Sequence, residues 1–246
     1  MALWKLTWTE IKLLVREPVT MIFTFAFPLF VLLVLGGIFR NDRVTGGDYS
    51  DVLAMDFYVP GYIGLVIASI GMISLPVHLA AYRERGVLRR LRASGLKELT
   101  YFGSQTVVAF LIAVVGGLLV YLLGALVYDA NPPDSLWRVV LTGVVGVATF
   151  AAIGILLAGL LPSARAVQGA GLLLWFTMMF LSGTASPLDL LPTWLLRVGQ
   201  VLPLYHLVQA LQDPWNGGTM NWQQLLVTAL YGAAAGVLSL RVFRWE

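Results

Sequence analysis

His78 and His206 are the two imidazoles of this 246-residue chain, which has no cysteine, so they are the first residues to test for acid–base or metal chemistry. A general base needs a partner to orient it, and a metal needs three or four ligands at short spacing. Neither histidine has an acid within one helical turn in either direction. Both read as hydrogen-bonding fillers, and no catalytic or metal-binding residue is assigned. A G-x-x-x-x-G-K-[ST] phosphate loop is absent, so the chain does not bind ATP through that motif. The densest polar feature is "AYRERGVLRRLRASGL" (81–96), with five arginines and one glutamate between two long apolar runs. Guanidinium groups are chemically inert donors that bind carboxylates, phosphates or acidic surfaces. The chemistry on offer is therefore recognition.

The elements that position this run follow from composition. The chain is 59% hydrophobic and 12% charged, with mean hydropathy +0.82, whereas soluble domains carry roughly 25% charged residues. Six stretches approach the ~20 apolar residues a spanning helix requires: about 19–39, 57–81, 104–127, 139–161, 168–185 and 222–240, none with Asp, Glu, Lys or Arg. They are apolar on all sides, unlike the one-striped helices of a soluble core. An ion-coupled carrier holds ionisable residues inside its spans; here Asp56 and Asp129 stand at span ends instead. A sodium site at broken backbone near Pro60-Gly61 or Pro76 competes with an ordinary proline kink, which is the simpler reading.

Cations orient the spans. With the N-terminus cytoplasmic, twelve of the sixteen Lys and Arg fall inside, and only Arg40, Arg43, Arg138 and Arg197 outside. The positive-inside bias thus expects both termini in the cytoplasm. Residues 1–17 mix Trp4, Trp8 and leucines with Lys5, Lys12 and Arg16, the pattern of an interfacial amphipathic helix that Pro18 ends, with a plain extension of the first span as the alternative. Segment 186–220 is too apolar for a solvated loop, and Pro187, Pro192, Pro203 and Pro214 interrupt it too often for a span. Within it Leu204, Leu207, Val208 and Leu211 recur at i, i+3, i+4 and i+7, so two short helices re-entering the outer leaflet are expected, with Pro192 and Pro203 in first turns. Gly232-x-x-x-Gly236 permits close helix contact, most simply within the chain. No soluble domain is apparent: 1–246 reads as one all-α polytopic membrane domain.

Read as one helix, the loop at 82–103 places Arg85, Arg89 and Arg92 on one line, with Glu84, Leu88 and Leu91 on another, and Gly95 as the stop. Such a segment could dock in a groove of a soluble partner through its leucines. Topology alone, or anionic headgroups attracted at about 1 kcal/mol per cation, would use the same arginines.

"YRERGVLRRLRASGL" resembles the E-R-G-x-x-x-x-L-R-x-[ST]-x-L stretch of type-2 ABC exporter permeases. "LLPSARAVQGAG" (160–171) and "FLSGTASPLDLLPTWLLRVGQVLPLYHLVQAL" (180–211) are similar to that family's next connection and to its segment after span five. The resemblance covers essentially the whole chain. It implies that residues 82–96 form a coupling helix on a separate ATPase subunit, present in two copies, with Tyr82, Arg83, Glu84, Arg85, Gly86, Leu88, Arg89, Arg90, Leu91 and Arg92 as docking residues. ATP and Mg would then sit on that subunit, with no cofactor in this chain. It also implies pairing with a second identical or related permease across spans one and five in a bacterial or archaeal plasma membrane, with lipids as further partners and no role for nucleic acid. The substrate path would lie between the two chains, and a hairpin with Pro187, Pro192, Trp194 and Pro203 would cap the exit; Phe23, Phe25, Phe27, Pro28, Phe30, Trp175, Phe176, Met178 and Met179 either line that path or face lipid or the partner chain. Thr184 and Ala185 depart from the bulky apolar pair many relatives carry. The implied function is export of an amphiphilic drug, antibiotic or lipid-like molecule. Export of a lipid-linked glycan, or a non-transport intramembrane enzyme or scaffold, are the alternatives.

Overall fold

The computed structural model describes residues 18–39, 52–93, 98–185, 191–217 and 219–242, together with 8, 12, 95 and 188. Among these, every regular element is helical, as lipid demands of a chain that must satisfy its own backbone. Helix α1 runs continuously through Pro18–Met21, Ile22–Ala26 and Phe27–Phe39, and α2 is Ala54–Glu84. They are followed by α3 (Val87–Ala93), α4 (Glu98–Tyr128), α5 (Leu136–Leu160), α6 (Ala164–Leu181), α7 (Thr193–Gly199), α8 (Pro203–Trp215) and α9 (Trp222–Val242). Five helices, α2, α4, α5, α6 and α9, are long and apolar enough to cross a membrane. In α1 the apolar stretch Ile22–Ile38 is shorter, about 25 Å at 1.5 Å per residue against a hydrocarbon core of about 30 Å. The expected helix 1–17 lies outside the described residues except for Trp8 and Lys12, which are helical, with the ammonium 5.4 Å from the indole centroid.

Helix α2 is the hub. Its most apolar window is 83% buried, against 22% for α9, because α1, α4, α5, α6 and α8 all pack on it. Two π-helical turns, Ile22–Ala26 in α1 and Ile70–Ser74 in α2, each end two residues before a proline, Pro28 and Pro76. Proline has no N–H and its ring collides with the carbonyl four residues back; those carbonyls belong to Thr24 and Met72, inside the wider turns. A π turn absorbs the mismatch without breaking the helix. Pro60 lies within unbroken helix too. The backbone at Pro60 and Pro76 thus stays helical, with no unwound stretch at either proline.

The α2 π turn is held by backbone rather than side chains. A methyl on Gly154 of α5 would collide with the Gly71 carbonyl, one on Gly71 with the Phe150 carbonyl, and one on Gly171 of α6 with the Met72 carbonyl. Three helices therefore meet at van der Waals distance around Ile70–Ser74. On one side of this junction, Trp175 of α6 donates its indole N–H to the Leu65 carbonyl at 3.3 Å.

The described residues just after α6 make short-range contacts. Gly183 takes φ +85°, and the Thr184 hydroxyl donates to the Met179 carbonyl at 2.6 Å. Pro192 is the N-cap of α7 and Pro203 occupies the first turn of α8. In α8, Leu204, Leu207, Val208 and Leu211 are all fully buried against α2, α5 and α9, which is the face their spacing predicts. Gly232 packs on Thr149 of α5, whereas Gly236 meets open space; the close contact is within the chain.

Candidate functional site: the elbow joining two long helices

The continuous helix expected from residue 82 up to the stop at Gly95 is broken at 85–86. Helix α2 ends at Glu84, and Gly86 adopts φ +65°, a left-handed conformation that L side chains resist, before α3 begins. Arg85 is therefore not on the same helical line as Arg89, and the expected single cationic stripe is corrected to two exposed groups. Arg85 lies on the turn and Arg89 and Arg90 on α3, with Arg90 donating to the Arg85 carbonyl at 3.1 Å. Gly95, at φ +81°, follows the end of α3 as the stop signal expects. Leu88 is 1% exposed and belongs to the chain's own core, so this leucine anchors α3 inward rather than onto a partner. The side chains of Leu91 and Arg92 lie outside the described residues.

Arg83 and Glu84 face the other way. The guanidinium donates to the carbonyls of Ala158 (2.7 Å) and Leu161 (2.5 Å). These close the C-terminal turn of α5, where unpaired carbonyls carry partial negative charge. The Glu84 carboxylate accepts from the backbone N–H of Ala164 at 2.8 Å, the first residue of α6, at the positive end of that helix dipole. Ser163, the N-cap, accepts from Ala166 N–H at 3.2 Å. One adjacent pair of opposite charges thus ties the end of α2 to the end of α5 and the start of α6. Tyr82 packs on His78, ring centroids 4.3 Å apart, and reaches Tyr101 of α4 at 6.5 Å. All four long helices near the elbow are joined to it. Sequence reasoning finds Arg83 and Glu84 but misses their partners. Only Ser163 ahead of the α6 pattern hints at a cap.

The proposed path residues separate by burial. Phe23 and Phe27 of α1 interlock with Trp175 and Phe176 of α6, with centroids 5.1–5.9 Å apart. Pro28, Trp175, Met178 and Met179 are buried within the single chain, whereas Phe30 is 62% exposed. Of the hairpin residues, Trp194 is exposed and Pro203 buried, and Pro187 lies outside the described residues. His206 bridges Gln224 (2.5 Å) and the Gln200 carbonyl (2.9 Å) while stacking on Tyr231. It fastens the α7–α8 connection to α9, the structural use its sequence context implies.

The chain is similar to named permeases over most of its length. It is 24% identical over 161 residues to the putative transport permease YvfS of Bacillus subtilis, covering 65% of each chain. It is 25% identical over 189 residues to the probable multidrug ABC transporter permease YbhR of Escherichia coli, covering 73% of this chain and 50% of the relative. It is 27% identical over 204 residues to the putative transport permease ycf38 of Cyanophora paradoxa, covering 80% and 68%. The chain thus spans just under two thirds of YvfS and half of YbhR. The profile of the ABC-2 type transporter family matches residues 1–214, a stretch that contains the elbow, its partners on α5 and α6, and all but one residue of α8, and this chain belongs to that family.

Proposed function

We propose that the chain is the permease subunit of an ATP-driven exporter that moves an amphiphilic molecule out of the cell, powered by a separate ATPase. Its six spans are α1, α2, α4, α5, α6 and α9, with both termini cytoplasmic. Helix α3 is the coupling helix, and α7–α8 re-enter from the outer side. Two permease chains pair, and two ATPase subunits close on ATP and Mg beneath them.

The observation that carries this reading is the division of labour at the elbow. Arg85, Arg89 and Arg90 are exposed and available to an acidic partner, while Arg83 and Glu84 bind the same turn to α5 and α6 and Leu88 is buried in the chain's own core. A force on the exposed group would pass from the end of α2 to α5 and α6 through these bonds. ATP does work in such a device by binding one conformation better than another, with the difference carried through the contact. Met- and Phe-rich walls suit amphiphiles. Of the path residues, Phe30 with the edges of Phe23, Phe27 and Phe176 remains available to a cleft between two chains.

The test is Arg89→Glu combined with Arg90→Glu, expressed with the cognate ATPase. Loss of co-purification and of export, with the permease itself still folded, is expected. Unchanged assembly and export would remove docking at the elbow and leave headgroup binding as the use of these arginines.

A further inference from the structure

We propose that α2, α4 and α5 form a binding site for an amine-headed acyl lipid, separate from the α1–α6 aromatic face. Two cavities adjoin where the 129–135 connection joins α4 to α5. One is an apolar groove of about 510 Å³, walled by Ile67, Phe110, Val114, Tyr121, Val140 and Gly143 among others. The second is a polar recess of about 460 Å³ that includes Asp56, Asn131, Asp134 and Asn216. Pro132 and Trp215 belong to the walls of both. A groove of this size holds a ligand-sized apolar body, and a polar chamber at its end gives the pair the profile of an amphiphile.

Three features define the occupant. The groove walls are apolar, so they take a hydrocarbon chain. The recess presents two carboxylates, and among the described residues that wall it there is no Lys or Arg. Asp56 is held rigidly, each oxygen accepting one 2.7 Å bond from Asn131, from its backbone N–H and its side-chain amide; each oxygen keeps a further lone pair. Such a recess favours an ammonium and repels a phosphodiester without one. Between the two, Trp215 is 4% exposed, sits edge-on to Tyr121 at 5.9 Å, and its indole N–H has no acceptor among the described residues. An unmet buried N–H is costly, and tryptophan habitually offers this group at headgroup level. An ester carbonyl lying between tail and ammonium answers it, which favours an acyl lipid over a simple alkyl cation.

The site is held by connections independent of any lipid. Asp134 N–H donates to the Trp215 carbonyl at 3.3 Å and Ser135 N–H to the Pro214 carbonyl at 3.2 Å, so the connection is fixed on the end of α8. A Cβ built at Gly143, a wall residue of the groove, meets nothing within 4 Å, so Gly143→Phe is the substitution chosen to fill the groove.

The experiment places the full-length protein in nanodiscs of equal phosphatidylethanolamine and phosphatidylglycerol, extracts it gently, and counts retained lipid by native mass spectrometry. Wild type should retain phosphatidylethanolamine at least tenfold over phosphatidylglycerol. Gly143→Phe should lose that lipid, and Asp134→Asn should lose the preference while keeping the fold, checked by an unchanged unfolding midpoint. Dodecylammonium chloride added to the loaded protein should leave the lipid in place; displacement at equal concentration would show that an alkyl cation suffices and overturn the acyl-lipid assignment. Equal retention of both lipids by wild type, or wild-type retention by Gly143→Phe, would overturn the site.

Discussion

Replacing Arg83 by methionine removes the fork that joins α2 to the end of α5 while keeping a side chain of similar length and apolar stem. The two bonds, at 2.7 and 2.5 Å, come from a charged donor, and each such bond contributes about 1.5–3 kcal/mol. Arg83 is only half-buried, so water recovers part of the loss, and a net cost of about 2–4 kcal/mol is expected. Unfolding in mixed micelles with increasing dodecyl sulfate measures it. Arg83→Lys should fall between, since an ammonium keeps the charge beside the helix end but cannot fork to two carbonyls. The functional consequence is sharper than the stability loss. In the reconstituted complex with its ATPase, Arg83→Met should continue to hydrolyse ATP but export less per ATP, because the push arrives at an elbow no longer fixed to α5. An Arg83→Met protein with wild-type unfolding and wild-type export per ATP would refute the idea that this turn is a rigid joint.

Other expectations follow from the same geometry. Gly171→Ala drives a methyl into the Met72 carbonyl and should prevent stable folding, while Gly169→Ala, two residues away with open space at its Cβ, should express normally; comparing yields of monodisperse protein decides. Gly86→Ala, at φ +65° with nothing within 4 Å, should cost about 1 kcal/mol from backbone strain alone, and Gly86→Asn less, by the same micelle titration. The chain has no cysteine, so Phe30→Cys should form an oxidised dimer in native membranes if α1 lies at the interface of two permeases, and absence of that band would move the interface elsewhere.

Helices long and uniform in composition are legible in the sequence alone. The five long apolar helices stand where the apolar runs put them, and the face of α8 follows directly from Leu204, Leu207, Val208 and Leu211. What the sequence hides depends on residues far apart in the chain. Arg83 and Glu84 look like two more loop charges until Ala158, Leu161 and Ala164 arrive beside them, about 75–80 positions later. Leu88 looks like a docking anchor because its spacing says only that it shares a face, not which body that face meets. The break at Gly86 escapes a reading by periodicity because glycine inside a helical pattern is ambiguous, and only its positive φ settles the matter. The junction of Gly71, Gly154 and Gly171 leaves no pattern at all, since backbone contact between helices has no periodicity to detect. The aromatic residues of α1 and α6 group together by composition, yet composition does not distinguish Trp175, sealed in the interior, from Phe30, which is open.

The central claim is that a nucleotide-hydrolysing partner grips this chain at α3. Arg89→Cys and, as a comparison at the α7–α8 end, Trp194→Cys can each be coupled to a short photoreactive crosslinker in membranes containing the cognate ATPase. The account predicts a covalent permease–ATPase adduct from position 89, altered in yield by ATP, and none from position 194. An adduct from 194, or labelling of 89 by an impermeant maleimide on intact cells, would place the elbow on the wrong side of the membrane and contradict it.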